Sequence, residues 1–329
     1  MIPDTRHSRT VPTVFLRIAI ETSLNVTFRA YAIMARVETI TELEHIAARH
    51  WRGTEEHRLG GWLLRAADGF TGRANSALPL GDPGVPLDDA LATVTRWYRD
   101  RALPPMIAVP LPLEGDSSCH QLDNHLSERS WLTRPGPAFV MVADLAAGPT
   151  AGASPAVGRF RVDAEPDDAW LARYHYRGQD RQPPVLRTVL MSAPAQAFAS
   201  IRGDDGEVLA IGRLSIANGW AGITAVEVTQ AKRRAGLGMA LTRAICAEAV
   251  ARGASRVFLQ VETDNVPARN LYERCGFRYS HRYHYRVAPL GATRRGRMLQ
   301  SGPGARYVCN HGYPCVQGLG SFAKRAGRR

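Results

Sequence analysis

No apolar run in this 329-residue chain approaches the ~18 residues needed to cross a bilayer, so no membrane-spanning segment is expected. Cysteine is scarce: Cys119, Cys246, Cys275, Cys309 and Cys315 are odd in number and scattered, which argues against a disulfide scaffold. Cys246 and Cys275 fall in helical patterns as small core residues. Cys309, His311 and Cys315 lack a matching second pair of ligands, so no metal site is expected. A Gly-Lys-Ser/Thr phosphate loop is missing as well, which removes the P-loop nucleotidases. The apolar stretch 14–20 is broken by Arg17 and has no clear small-residue cleavage site, so it is not read as a signal peptide and a cytoplasmic location is expected.

Positive charge is in excess, at +12 overall. Residues 288–329 hold eight basic residues and no acid, which leaves +4 for everything before them. This stretch carries Gly and Pro without sustained periodicity and reads as a disordered tail, able at most to give weak, salt-sensitive contact with nucleic acid. Specific nucleic-acid binding is not expected. The length and a hydrophobic content of 45% suit two domains with real cores.

Read in order, residues 1–35 show no clear element and form a loose leader. Helical spacing follows over 41–50, a hairpin signal over 60–70 and a further strand over 74–80. After the turn Gly81-Asp82-Pro83-Gly84 come a helix over 87–101, a strand over 106–111, a short helix over 121–131 and a strand over 138–142. The Ala-, Gly- and Pro-rich segment 147–158 marks a linker. Beyond it lie a strand at 160–162, helices at 167–174 and 184–192, and a hairpin of 197–202 with 208–216.

Residues 226–277 are the most informative. An apolar strand over 221–228 runs into the basic, glycine-bearing loop Gln230-Ala231-Lys232-Arg233-Arg234-Ala235-Gly236-Leu237-Gly238. A helix begins there, with Leu237, Leu241, Ala244, Ile245 and Ala249 on one face, and a strand follows over 257–262. A loop that feeds a helix N-terminus points unpaired N–H groups and the positive dipole end at one spot, which suits phosphate. Gly236 and Gly238 let backbone approach closely, and Arg233 and Arg234 add charge. A dinucleotide-binding fold fits poorly: seven residues part strand from glycine, and Leu241 stands where a third glycine belongs.

Together, Arg233-Arg234-Ala235-Gly236-Leu237-Gly238, Asn265, Leu271-Tyr272 and Gly276-Phe277 resemble the two separated signatures of the GNAT N-acetyltransferase superfamily over about residues 197–287. The resemblance implies acetyl-CoA as co-substrate, with no metal. Val226 and Val228 would pair with the pantetheine arm and the N–H groups from Arg233 through Ala235, Gly236, Leu237 and Gly238 to Met239 would hold the pyrophosphate. Asn265 would touch the arm from the other side, although it also fits an N-cap. The resemblance makes Tyr272 the general acid to the CoA sulfur. The base is less clear: Gln260 stands where some members carry Glu, and Glu227 is the nearest substitute, with Glu262 behind it.

The element order of residues 36–146 repeats that around 197–287, so the expected fold is α/β, with two tandem GNAT-like domains, each a mixed, mostly antiparallel central sheet flanked by helices. The first, 36–146, is degenerate: Asp82, Pro83 and Pro86 fall where the phosphate loop should be. The second, 159–287, is catalytic. The acceptor is an amine, on a small molecule or on a protein N-terminus or lysine, and the protein acts as monomer or homodimer. A mycothiol synthase-like enzyme and a catalytically silent acetyl-CoA sensor remain as alternatives.

Overall fold

Thr39 opens the first helix by a reciprocal exchange: its side chain accepts from the Glu42 N–H, and the Glu42 carboxylate accepts from the Thr39 N–H. The computed structural model describes residues 39–146, 158–175 and 182–289. The leader 1–35, the linker apart from Gly158, the tail beyond Pro289 and the Cys309, His311, Cys315 trio lie outside the described residues. Helix α1 (Ile40–His50) leads into a hairpin of β1 (Glu55–Leu59) and β2 (Trp62–Ala66), and β3 (Leu78–Pro79) joins it. Then come α2 (Leu87–Arg99), β4 (Met106–Pro112), α3 (Ser118–Glu128) and β5 (Leu132–Asp144).

The second part runs β6 (Arg159–Asp163), α4 (Asp168–Arg173), α5 (Leu186–Leu190), β7 (Ala195–Arg202), β8 (Val208–Ala217), β9 (Trp220–Val228), α6 (Leu237–Ala251), β10 (Arg256–Glu262), α7 (Val266–Arg274) and β11 (Arg278–Val287). The fold is α/β, and its central sheet is mixed and mostly antiparallel. Among the described residues no helix is long and apolar enough to cross a membrane.

The expectation of one central sheet per half is not met. Strands of both halves lie in a single eight-stranded sheet, ordered β4-β11-β5-β10-β9-β8-β7-β6. Strand β5 runs antiparallel to both β10 and β11, and β11 runs antiparallel to β4. The small β1-β2-β3 sheet touches this large one through a parallel bridge between Ala77 and Ile107. A larger change than expected is in β5, which extends through Pro135 and Pro137 to Leu132. Those prolines lie beyond the seven residues 138–144 that pair with β10, where no donor is required on that side.

The sheet separates two layers. On one face α6 and α7 pack against Ala221, Ile223, Val257, Leu259 and Val261. On the other, α1 covers Trp220 and Phe258, while α4 and α5 cover Phe198 and Ile211. Helix α1 comes so close to β9 that a Cβ on Gly222 would sit 2.8 Å from His50 Nδ1. His50 is buried, with Nδ1 2.8 Å from the Ser215 hydroxyl and no partner for Nε2 among the described residues.

Burial, helped by the nearby Arg213 charge, lowers the His50 pKa to about 4. The unfolded chain therefore binds a proton that the folded one refuses between about pH 6.5 and about pH 4. The stability from neutral His50 is complete above pH 6.5 and is lost as pH falls through 4, on the order of 3 kcal/mol in all. Urea unfolding against pH should show this slope in the native protein and a flatter one in His50→Asn. Equal slopes would remove His50 as the cause.

Candidate functional site

Strands β9 and β10 run parallel, but their pairing stops early. Partners are Trp220 with Arg256 through Ile223 with Leu259, and beyond these the strands part. Strand β10 remains paired to β5 as far as Glu262, so it is β9 that turns away. A bulge does this. The register with β8 jumps from Arg213–Thr224 to Ile211–Glu227, and Ala225 takes φ +54°.

The bulge also sets which side chains face which layer. Val226 and Val228 pack towards α6, whereas Thr224 and Glu227 both face the α1 and α4 side. Because Thr229 N–H donates to Leu209 O, alternation along the strand turns Glu227 to β8 and leaves the Val228 backbone, and Val226 with it, facing the gap. Beyond Ile223 this edge of β9 has no pairing to β10.

At the end of β9 the chain makes a short 3-10 turn (Gln230–Lys232) and enters α6 through Arg234 and Gly236, at φ +67° and +79°. These left-handed residues rotate successive N–H groups towards one side. Gly236 is the N-cap and supplies no side-chain acceptor, and the first turn of α6 holds no acid. No described group accepts from the N–H groups of Arg234 through Met239. Lys232, Arg233 and Arg234 are exposed and have no ion-pair partner among the described residues, although Arg233 Nε reaches Val228 O at 3.4 Å. The arrangement offers unpaired donors, a helix dipole and free cations, which is the chemistry of a phosphate site.

The two glycines do different work. A Cβ on Gly236 meets nothing within 4 Å, so this position needs glycine for its backbone angle alone. A Cβ on Gly238 would fall 2.8 Å from Leu271 Cδ1. Gly238 is therefore a contact point between α6 and α7, and it draws the loop against the helix that carries Tyr272.

Tyr272 is buried in the α6-side core, edge-on to Phe277, and its hydroxyl has no hydrogen bond to a described residue. Burial holds the phenol well above its usual range, so it stays protonated at neutral pH. Asn265 caps α7, accepting from the Ala268 N–H at 3.2 Å, with Pro267 in the first turn. Its cap role is thus realised, and its amide nitrogen remains available. Glu227 is held by a residue that no motif joins to it: its carboxylate accepts from the His175 N–H at 3.0 Å and lies 2.9 Å from His175 Nδ1. His175 sits just after α4, 52 positions away in the chain. Gln260, on β10, accepts from the Tyr283 hydroxyl at 3.3 Å. Among the described residues no cluster of three or more His, Cys, Asp or Glu gathers to hold a metal.

Gly238→Ala gives a direct test of the α6–α7 contact. Alanine has the better helix propensity by about 1 kcal/mol, yet the substitution should destabilise the protein because of Leu271. On a Leu271→Ala background the same change should become neutral or stabilising, and a double-mutant cycle by urea unfolding reads the difference. Additive effects would show that the contact is not strained.

Comparison with known proteins identifies the family. Residues 38–286 match the family described as probable histone acetyltransferase Rv0428c C-terminal. The chain is 30% identical over 260 residues to the probable histone acetyltransferase Rv0428c of Mycobacterium tuberculosis, covering 76% of this chain and 74% of that protein. It is 26% identical over 254 residues to the uncharacterized N-acetyltransferase YobR of Bacillus subtilis, covering 76% of this chain and 99% of that protein. In fold it is similar to a GCN5-related N-acetyltransferase from Kribbella flavida, with a TM-score of 0.54 at 19% identity over 77% of this chain and 95% of that one. The chain therefore belongs to the Rv0428c C-terminal family and is a GNAT acyltransferase.

Proposed function

We propose that this enzyme moves the acetyl group of acetyl-CoA to a primary amine by direct attack in a ternary complex. The observation that carries the reading is the gap between β9 and β10, which has a fan of free N–H groups at its mouth and one candidate proton carrier on each face. Arg233, Arg234, Ala235, Gly236, Leu237, Gly238 and Met239 hold the pyrophosphate, Val226 and Val228 pair with the pantetheine amides, and the Asn265 amide lies on the far side. Tyr272 belongs to the α6 layer and Glu227 to the opposite one. An amine entering from the α1 side therefore meets a thioester held from the α6 side.

In that arrangement the amine nitrogen forms the C–N bond to the acetyl carbon as the C–S bond breaks. Its proton goes to Glu227, or to His175 Nε2, which is the free ring nitrogen while Nδ1 donates to the carboxylate. The departing sulfur takes a proton from Tyr272, giving an amide and free CoA. Gln260, placed where some relatives carry a carboxylate, cannot take this proton.

We infer further that residues 36–146 are a degenerate copy of 159–287. The support is the order of strands around the centre of the sheet: β4-β11-β5-β10 reads the same from either end once each half's last strand is exchanged. The parallel bridge from Ala77 to Ile107 stands where β9 meets β10 in the other half. The matching helix start is built against phosphate. Its N-cap is Pro86, Asp88 and Asp89 occupy the first turn, and the N–H groups of Gly61 and Gly84 are spent on Asp82.

Calorimetry with acetyl-CoA should show binding that Gly236→Val weakens about tenfold or more, since a β-branched residue is strained at that angle. Unchanged affinity would refute the loop assignment. Tyr272→Phe should leave acetyl-CoA affinity intact and slow thiol release by about 100-fold or more. Glu227→Gln should slow it too, as should His175→Gln. Binding with no turnover on any amine would instead favour the acetyl-CoA sensor.

A further inference from the structure

On the α1 side of the sheet, where β9 and β10 begin to part, lies a small cleft unused by the cofactor reading. Thr224 and Gln260 form its floor, and Glu44, Arg65, Arg73 and Tyr283 stand around it. Its charges do not balance. Arg65 is 4% exposed and spends Nε and Nη2 on Ser76 O and Oγ, at 3.2 and 3.1 Å, with no carboxylate partner. Arg73 lies over the Trp51 ring at 4.8 Å, and neither arginine has an ion pair among the described residues.

Arg213, fully buried, lies over the same ring at 5.3 Å. It donates to Leu190 O at 2.6 Å, His50 O at 3.1 Å and the Thr224 hydroxyl at 3.4 Å, and its Nη2 has no partner among the described residues. The cleft's acid is Glu44, already 2.7 Å from His281 Nε2. His50 Nε2, on the cleft wall, is buried and unpartnered among the described residues.

Guanidinium groups taken out of water without acids are costly, and a bound anion removes that cost. The planar donor fork of arginine matches a carboxylate or phosphate. Free space in the cleft is about 20 Å³, room for about one water-sized group, so only the tip of a compact head enters without side-chain movement and a ring does not. A cationic peptide would meet Arg65 and Arg73 and be repelled. The cleft adjoins Gln260 and the point where pairing fails after Ile223, so an anion held there leaves the other end of a short molecule near the gap.

We propose that the acceptor is a small amine that carries a compact anionic group, a carboxylate first of all, gripped by Arg65 and Arg73 while its amine faces the gap. This rests on the acetyl-transfer reading of the site and names the substrate class for it. Acetyl transfer to such an amine gives an N-acetylated amino carboxylate and CoA.

The test uses the full chain. Thiol release from acetyl-CoA is followed with amino acids, their carboxamides, aminoalkyl phosphates and a lysine-rich peptide. Amino carboxylates should exceed their carboxamides by about ten- to a hundredfold in kcat/KM, the worth of a hydrogen bond to a charged group. Aminoalkyl phosphates in first place would keep the anion and change its identity. Carboxamides or the peptide working as well or better would overturn the proposal.

Arg73→Gln, at the half-buried position, should raise KM for the amino carboxylate about tenfold or more while leaving KM for acetyl-CoA unchanged. An unchanged amine KM would count against the cleft. Calorimetry with N-acetyl amino acids and their amides, in the presence of CoA, needs no turnover. If acetyl-CoA binding fails altogether, the acetyl-transfer reading fails. If CoA binds and the acids bind no better than the amides, this inference alone fails.

Discussion

Two parallel strands that pair for four residues and then separate are the constraint on which the rest of the molecule depends. Backbone N–H and C=O groups left open inside a sheet are costly unless something pairs with them. The bulge at Ala225 creates that opening and settles the chemistry on each side of it. Without the extra residue, strict alternation from Thr224 would put Val226 on the α1 side and Glu227 on the α6 side, away from His175. With it, Thr224 and Glu227 share a face, and Val226 and Val228 join the α6 core. One backbone irregularity thus opens the edge, aims the carboxylate and anchors the strand.

Strand pairing between the earlier and later parts of the chain joins them in one sheet. Strand β5 supplies the pairing that keeps β10 straight as β9 leaves, and β11 is held between β4 and β5. The cleft beside the gap draws Glu44, Arg65 and Arg73 from the first half and Thr224, Gln260 and Tyr283 from the second. A buried contact from Glu44 to His281 joins α1 to β11 across 237 positions. The first half therefore walls the site even though its own helix start repels phosphate.

What was legible in the sequence was local. The glycine loop could be read because a left-handed N-cap demands glycine, and Asn265 because Asn followed by Pro two places on is helix-start chemistry. The length of β5 could not: Pro135 and Pro137 signal a break, and only the register of β10 shows that they lie where no partner is needed. The order of strands and helices along the chain was visible, but not that the strands would interleave in one sheet, since pairing between distant segments leaves no mark on spacing. His175 and Arg213 were missed for the same reason. Each looks like an ordinary surface residue until the bulge and the packing of Trp51 place it.

The two halves also separate what a fold supplies from what residues supply. Both offer a strand, a turn and the N-terminus of an amphipathic helix in matching places, so both have a helix dipole. In the first half a proline N-cap and two aspartates in the first turn cancel that field, and Asp82 accepts the loop donors. In the second, Gly236 leaves the donors bare and three cations stand beside them. Positive charge recurs on the opposite face, where Arg65 and Arg73 line a cleft too narrow for a nucleotide and Arg213 lies buried against the Trp51 ring of its wall. The sheet stands between these two basic regions, so one anion cannot satisfy both. A bisubstrate enzyme with a phosphate-bearing donor on one face and an anionic acceptor on the other accounts for both charges at once.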